Sequence, residues 1–142
     1  MAVTTEIRVR YAETDQMGIV YNANYLVWFE IGRVELMRAL GYSYDTLEKE
    51  SGVLLPVAEI GCRFKSAARF DEILRIETRP ALVRGSMVKF AYRILRTEAD
   101  GAVTVLAEGQ STHLVCDSQL KRCKLPAAYE TALRTEMEKE SA

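Results

Sequence analysis

Apolar and polar residues alternate from Thr4 to Tyr11, with Ile7, Val9 and Tyr11 on one side and Glu6, Arg8 and Arg10 on the other. This period of two predicts a half-buried strand. From about Asn24 to Leu40 the pattern becomes helical, but Leu26, Val27, Trp28, Phe29, Ile31, Val34, Leu36, Met37 and Leu40 cover most of the circumference instead of one stripe. A helix apolar nearly all round is wrapped by other structure. Gly41 supplies its stop, and Ser43 ahead of Asp45 and Glu48 predicts a short second helix that Gly52 ends. The period of two then returns. Val57 to Phe64 places Ala58, Ile60, Cys62 and Phe64 on one face, with Glu59, Arg63 and then Lys65 on the other. Ile73 to Val83 predicts a third strand in which Pro80 marks an edge position or a bulge. Met87 to Arg96 aligns Val88, Phe90, Tyr92 and Ile94, and Ala102 to Cys116 forms a long last strand in which Gly109 marks a bulge or bend. Arg84-Gly85-Ser86 and Ala99-Asp100-Gly101 read as hairpin turns, and Pro126 opens a C-terminal helix from Ala127 to about Glu138.

One strand, one long helix and four hairpin-linked strands make an α+β arrangement, an antiparallel sheet of about five strands wrapped around a central helix. A sheet of this size covers only one side of so apolar a helix. A second copy is therefore expected to close the remaining face and one sheet edge, giving a homo-oligomer with a dimer as its minimal unit and a dimer of dimers as the larger assembly.

With 142 residues, the whole chain 1–142 is read as one domain. Folding at this size buries roughly 68–70% of the unfolded surface, enough to need no metal or disulfide staple. Twenty acidic residues against nineteen basic ones leave no field that would favour nucleic acid as a partner. Cys62, Cys116 and Cys123 are an odd number without a C-x-x-C pair, which argues against a disulfide framework and a zinc site alike. No apolar run reaches the ~20 residues a membrane span requires, and the N-terminus has no signal core. A cytoplasmic protein without membrane insertion is expected.

The histidine inventory narrows the chemistry. His113 is the single imidazole, in the last strand and far in sequence from the acidic loop Glu13-Thr14-Asp15-Gln16-Met17-Gly18, and it reads as a strand histidine with a satisfied hydrogen bond. A serine or cysteine triad would have to be built on it. No phosphate loop of the G-x-x-x-x-G-K-[ST] or G-x-G-x-x-G type is present, and no clustered metal ligands are seen. What remains is Asp15 ahead of a helix whose first turn holds no acid, the nearest being Glu30. Such a terminus offers unpaired N–H groups and partial positive charge to a developing oxyanion, a donor worth roughly 2.7–4 kcal/mol in acyl transfer. A carboxylate attacks a carbonyl or orients water, but it is too weak a base to expel an amine or alkoxide. A thiolate leaves without strong acid assistance, so the set suits a thioester. An aspartate before a helix is also a common turn or capping residue, and on the residues alone that reading is the more economical one.

The stretch Tyr11-Ala12-Glu13-Thr14-Asp15-Gln16-Met17-Gly18-Ile19-Val20-Tyr21-Asn22-Ala23-Asn24-Tyr25 closely resembles the motif of the hotdog-fold acyl-CoA thioesterases of the 4-hydroxybenzoyl-CoA thioesterase family. The likeness continues through Trp28-Phe29-Glu30, Arg69-Phe70-Asp71-Glu72 and the strand order. It implies a hotdog fold and hydrolysis of an acyl-CoA to free acid and CoA, with no cofactor beyond the CoA carried by the substrate. Asp15 matches the catalytic aspartate, the backbone N–H of Asn22 matches the donor to the thioester carbonyl, and Tyr21 and Gly18 would shape the loop. Some branches, including thioesterases linked to the Tol-Pal envelope system, carry histidine where this chain has Asn22, so no histidine-assisted step is implied. Coenzyme A lies across a subunit interface near the sheet hairpins in this family. Arg84 is the leading candidate for a phosphate contact, with Ser86 in the same turn and Lys121 and Arg122 behind it. Glu59 is a further residue that would face a neighbouring subunit's site, although an outward polar residue explains it equally. Trp28, Phe29, Met17 and Tyr25 are candidates to frame the acyl group.

Two other classes compete with this one. A non-catalytic acyl-CoA-binding hotdog module would need no carboxylate facing the thioester. A hotdog dehydratase would place a histidine near the central helix, where this chain has none.

Overall fold

A computed structural model describes residues 3–141 of the chain. Its elements are β1 (Val3–Arg8), α1 (Ala23–Ala39), α2 (Tyr44–Ser51), β2 (Val57–Phe64), β3 (Ile73–Arg84), β4 (Met87–Thr97), β5 (Val103–Leu114) and α3 (Ala127–Ser141). The five strands form one antiparallel sheet in the order β1-β3-β4-β5-β2, so β1 and β2 are its edges. Alternation decides which side faces the core. Leu74, Ile76, Thr78 and Pro80 of β3 and Val88, Phe90, Tyr92 and Ile94 of β4 are buried. The outer face instead carries a row of alternating charge, Glu77 opposite Arg93, Arg93 opposite Glu108, and Glu108 opposite Arg63. Opposite charges directly across neighbouring strands support the pairing register.

The α1 helix packs on the inner face through Trp28, Phe29, Leu36 and Met37, all within the buried core. Phe29 stacks on Tyr92 with ring centroids 4.4 Å apart and planes 9° from parallel. Two glycines set how closely helix and sheet approach. A β-carbon on Gly32 would lie 2.2 Å from Thr78 Oγ1, and one on Gly109 would lie 2.4 Å from the Phe29 ring. Gly109 is therefore not the bulge or bend expected from its strand. It stays in register opposite Tyr92 and Cys62, and the shift in β4–β5 pairing falls instead at Ile94/Leu95. The far side of α1 remains open, with Val27 50% exposed. Within one chain the helix is thus covered on one side, as expected of a single sheet.

Local chemistry explains the other boundaries. β1 ends three residues earlier than expected because residues Tyr11–Glu13 form a 3-10 turn, which leaves Val9 in the core and turns Tyr11 out to 77% exposure. Pro80 lies beyond the last β1 partner of β3, at Thr78, and a register shift falls between Pro80 and Leu82, so edge and bulge coincide there. The α2 helix begins where Ser43 Oγ accepts the Thr46 N–H at 3.2 Å and ends at Gly52 with φ +64°. On the β2 edge, Ile60 and Cys62 reach the core but Ala58 and Phe64 do not. The α3 helix runs to Ser141, beyond the expected Glu138, and buries Tyr129 and Leu133. Among the described residues no helix is long and apolar enough to cross a membrane.

Candidate active site

The loop after the 3-10 turn closes on itself. Thr14 and Val20 form an isolated bridge, the Asp15 N–H donates to Ile19 O at 2.9 Å, and the Gly18 N–H donates to Asp15 O at 3.0 Å. Gly18 adopts φ +78° with open space around its α-carbon, so it is the backbone conformation and not crowding that calls for glycine. Asp15 Oδ1 accepts the Met17 N–H at 2.8 Å, the turn role the sequence allowed. Among the described residues Oδ2 takes no hydrogen bond, which leaves one carboxylate oxygen for other chemistry.

The start of α1 stands beside this loop without a side-chain cap. Asn22 is its N-cap, but its φ and ψ of −54° and −35° are already helical and its side chain makes no capping bond. The next amides are occupied within the turn, Asn24 N–H to Tyr21 O and Tyr25 N–H to Asn22 O. Among the described residues the N–H groups of Asn22 and Ala23 have no acceptor, and the first turn contains no acid. Tyr21 is exposed, and its N–H is tied to Glu13 O at 2.8 Å.

Glu13 was legible in the sequence only as one acid of an acidic loop. The residue is 5% exposed. Oε1 accepts the Arg10 N–H at 2.7 Å, and Oε2 accepts the Trp28 indole N–H at 3.0 Å and faces the Arg10 guanidinium at 3.4 Å. Burial pushes its carboxyl up, but the donated hydrogen bonds from Arg10 and Trp28 outweigh this and hold it below the ordinary carboxylate range. The one sequence signal for this arrangement is the pairing of Glu13 with a tryptophan on the following helix.

Two clefts flank Asp15. One of about 340 Å³ brings it together with Asn22, Met17, Ile19, Tyr25 and Phe64, and also reaches Lys65. The other, of about 640 Å³, is lined by Tyr11, Thr14, Asp15, Gly18 and Phe70. Tyr25 and Phe64 meet edge to face at 5.1 Å, as do Tyr11 and Phe70 at 5.5 Å. Met17 and Tyr25 line the cleft at Asp15, whereas Trp28 and Phe29 do not, because both are core residues, 1% and 0% exposed. Lys65 is paired with Glu108 and holds its carboxyl low.

Of Arg84, Ser86, Lys121 and Arg122, contacts join Ser86 and Arg122, and Arg84 and Lys121 adjoin them along the chain. The Val115 N–H donates to Ser86 O at 2.8 Å, Cys116 bridges Arg122, and Arg122 Nε donates to Ser86 Oγ at 3.0 Å. This cluster caps the far end of the sheet. Asp15 is tied to the end where β3 begins, through Val20 N–H to Ala68 O and Val9 N–H to Glu72 O, whereas Arg84 closes β3. The twelve residues between those ends span roughly 36 Å at about 3.3 Å per residue.

His113 is buried and occupied elsewhere. Nδ1 lies 3.0 Å from Leu55 O, so it carries the proton, and Nε2 accepts from Ser111 Oγ at 2.8 Å. Burial pushes the Cys62 thiol up to about 11 and raises Cys123 as well, which disfavours their thiolates. Among the described residues no three His, Cys, Asp or Glu side chains converge as metal ligands would.

Comparison with known proteins places these features in context. The model of the thioesterase-like superfamily matches residues 9–134. Bacillus subtilis YneP, provisionally named an acyl-CoA thioesterase, is 40% identical over 114 residues, covering 80% of this chain and 79% of its own. The acyl-CoA thioester hydrolase YbgC of Escherichia coli O6:H1 is 33% identical over 115 residues, 81% of each chain. Among solved structures, the hypothetical protein TT1821 of Thermus thermophilus superposes with a TM-score of 0.84 at 36% identity, covering 94% of this chain and 98% of that one. A 4-hydroxybenzoyl-CoA thioesterase variant bound to 4-hydroxybenzoyl-CoA superposes with a TM-score of 0.87 over 93% of this chain and 98% of that one. At 20% identity this last likeness speaks to the shared hotdog fold.

Proposed function

This chain belongs to the thioesterase-like superfamily, and from that premise we propose that it is an acyl-CoA thioesterase that hydrolyses the thioester of a small aliphatic or aromatic acyl-CoA. The observation that carries the reading is the cleft in which Asp15 and the uncapped start of α1 at Asn22 stand together. With the thioester carbonyl set against the Asn22 N–H, negative charge that develops on its oxygen meets a fixed donor and the positive end of the helix. The free oxygen of Asp15 either attacks the carbonyl carbon or takes a proton from the water that does. The carbon–sulfur bond then breaks, the electron pair leaves with the CoA sulfur and the thiolate takes up a proton; where Asp15 was the attacking group, water then cleaves the mixed anhydride, releasing the acid and restoring the carboxylate. Written this way, the reaction needs no metal or organic cofactor, CoA entering only as part of the substrate.

The second half of the proposal is the assembly. Arg84, Ser86, Lys121 and Arg122 stand too far from Asp15 to hold the CoA of the same chain's site. Pairing of two β2 edges about a two-fold axis runs the partner's strands in reverse, which brings the partner's hairpin to the Asp15 end. A homodimer with shared sites, and a dimer of dimers built from it, is the arrangement that uses both clusters.

Thiol release from a panel of aliphatic and aromatic acyl-CoAs tests the reading, with native protein and Asp15→Asn compared and folding of the variant confirmed. A loss of about 100-fold or more in kcat is expected, the scale of a positioned catalytic group. Equal rates for the two proteins would overturn the role of Asp15, and acyl-CoA binding without turnover of any panel member would point to the binding module instead.

A further inference from the structure

We propose that Glu13 is the positioning residue of this site, fastening the Asp15 loop to the first two turns of α1 and so setting where Asp15 stands relative to the Asn22 N–H. The inference rests on the thioesterase reading of Asp15 and Asn22 but uses a residue that neither bears on directly.

The fastening has two halves. Through its main chain, Glu13 O accepts the Tyr21 N–H at 2.8 Å and Asn24 Nδ2–H at 2.9 Å. Through its side chain, Glu13 accepts the Trp28 indole at 3.0 Å and the Arg10 N–H at 2.7 Å. Asn24 and Trp28 are four residues apart and therefore lie on one face of the helix. Thr14 and Asp15 follow Glu13 directly, and Tyr21 directly precedes Asn22. Both reacting groups are thus held by short covalent connections to atoms that Glu13 fixes, and loop and helix start move together.

The carboxylate itself carries the argument further. A glutamate this deeply buried next to solvent-facing Tyr11 and Ala12 incurs a desolvation cost that a neutral residue would avoid. What the site demands is an acceptor on both oxygens, because one faces a backbone N–H and the other an indole N–H. A glutamine presents one acceptor and one donor, so in Glu13→Gln an NH₂ group meets either the Arg10 N–H or the Trp28 indole N–H. The side chain must then rotate away from one of them, and the loop is released from one of its two anchors. Reacting groups misplaced by about 1 Å lose roughly 100-fold in rate, so even partial release is visible in turnover.

The test uses the full chain in five forms, native, Asp15→Asn, Glu13→Gln, Trp28→Phe and the double variant Glu13→Gln/Trp28→Phe, with kinetics on the best acyl-CoA of the panel and amide exchange on the same samples. Glu13→Gln is expected to lower kcat by about 10–100-fold with KM within about two-fold, and to speed exchange at the Asp15 and Tyr21 amides. Trp28→Phe, which removes the indole donor and leaves the Arg10 donors to Glu13 in place, is expected to do the same to a smaller extent. In the double variant Glu13→Gln/Trp28→Phe the unmatched donor is gone, and part of the Glu13→Gln loss in kcat should return. A merely structural glutamate would lower the melting temperature and leave kcat of the folded protein untouched. That outcome, alongside an inactive Asp15→Asn, overturns the positioning role and leaves the thioesterase reading intact. If native protein turns over nothing, the reading of the site fails on its own. Unchanged exchange at Asp15 and Tyr21 in Glu13→Gln would overturn the fastening regardless of turnover.

Discussion

Between α1 and the sheet, two positions have no room for a β-carbon, and the two will respond differently to substitution. At Gly109 the crowding atoms include the Gly61 backbone carbonyl at 2.6 Å as well as the Phe29 ring. Backbone of a paired strand cannot step aside, so Gly109→Ala is expected to lower unfolding free energy by about 1–3 kcal/mol, read as a fall in urea midpoint at constant slope. At Gly32 the neighbours are the side chains of Thr78 and Ile76, which rotate, so Gly32→Ala should cost less than Gly109→Ala. An equal or larger cost at Gly32 would contradict this account. The sequence singled out Gly109 but gave it the wrong reason, because strand periodicity describes a residue's own strand and not the ring that lands on it from a helix eighty positions away. Glu13 was missed for the same kind of reason. Its burial depends on Trp28, fifteen residues on.

At the scale of elements, a buried chain of hydrogen bonds ties α1 to the strands. Arg33, 8% exposed, points a guanidinium N–H at Tyr92 Oη at 3.5 Å, Tyr92 and Ser111 share a hydrogen bond, and Ser111 meets His113 Nε2, with His113 Nδ1–H donating to Leu55 O. Leu55 O can only accept, so Nδ1 carries a proton, and with the imidazole neutral Nε2 accepts from Ser111, which in turn accepts from Tyr92. Burial, with Arg33 adding to it, lowers the His113 value below the ordinary one. The sign of the consequence is fixed by linkage. Above the unfolded value of about 6.5 both states hold His113 neutral, and its contribution to stability is complete. As pH falls below that, the unfolded chain takes up a proton the folded chain refuses, and stability declines until the folded His113 is itself protonated. Urea midpoints from pH 7.5 to 5.0 should therefore fall more steeply for native protein than for His113→Gln, and parallel curves would refute the coupling. The sequence indicated a satisfied strand histidine, but not that a buried arginine begins the chain, since the burial of Arg33 depends on strands distant in sequence. Elements governed by neighbours in sequence were read far better. Ser43 and Gly52 bracket α2 because capping is chemistry within one turn, and β2 carries the expected bounds because its alternation is its own.

At the scale of the molecule, the carboxylate lies at one end of the sheet and the basic hairpin cluster at the other. In the proposed dimer each site takes Asp15 from one chain and Arg84 and Arg122 from the other. Asp15→Asn and Arg84→Ala/Arg122→Ala chains, each weak alone, should therefore restore one whole site when mixed and allowed to exchange partners. Random pairing puts half of the chains in mixed dimers with one intact site of two, so about a quarter of native turnover is expected at saturating substrate. Activity no better than the sum of the separate variants would place both clusters' work within single chains. The same placement means that a chain disabled at both ends spoils more than itself. Paired with a native chain it withholds the hairpin from one site and the carboxylate from the other, so the mixed dimer is silent. Turnover in a mixed population would then track the square of the native fraction, and a minority of doubly defective chains would act as a dominant inhibitor.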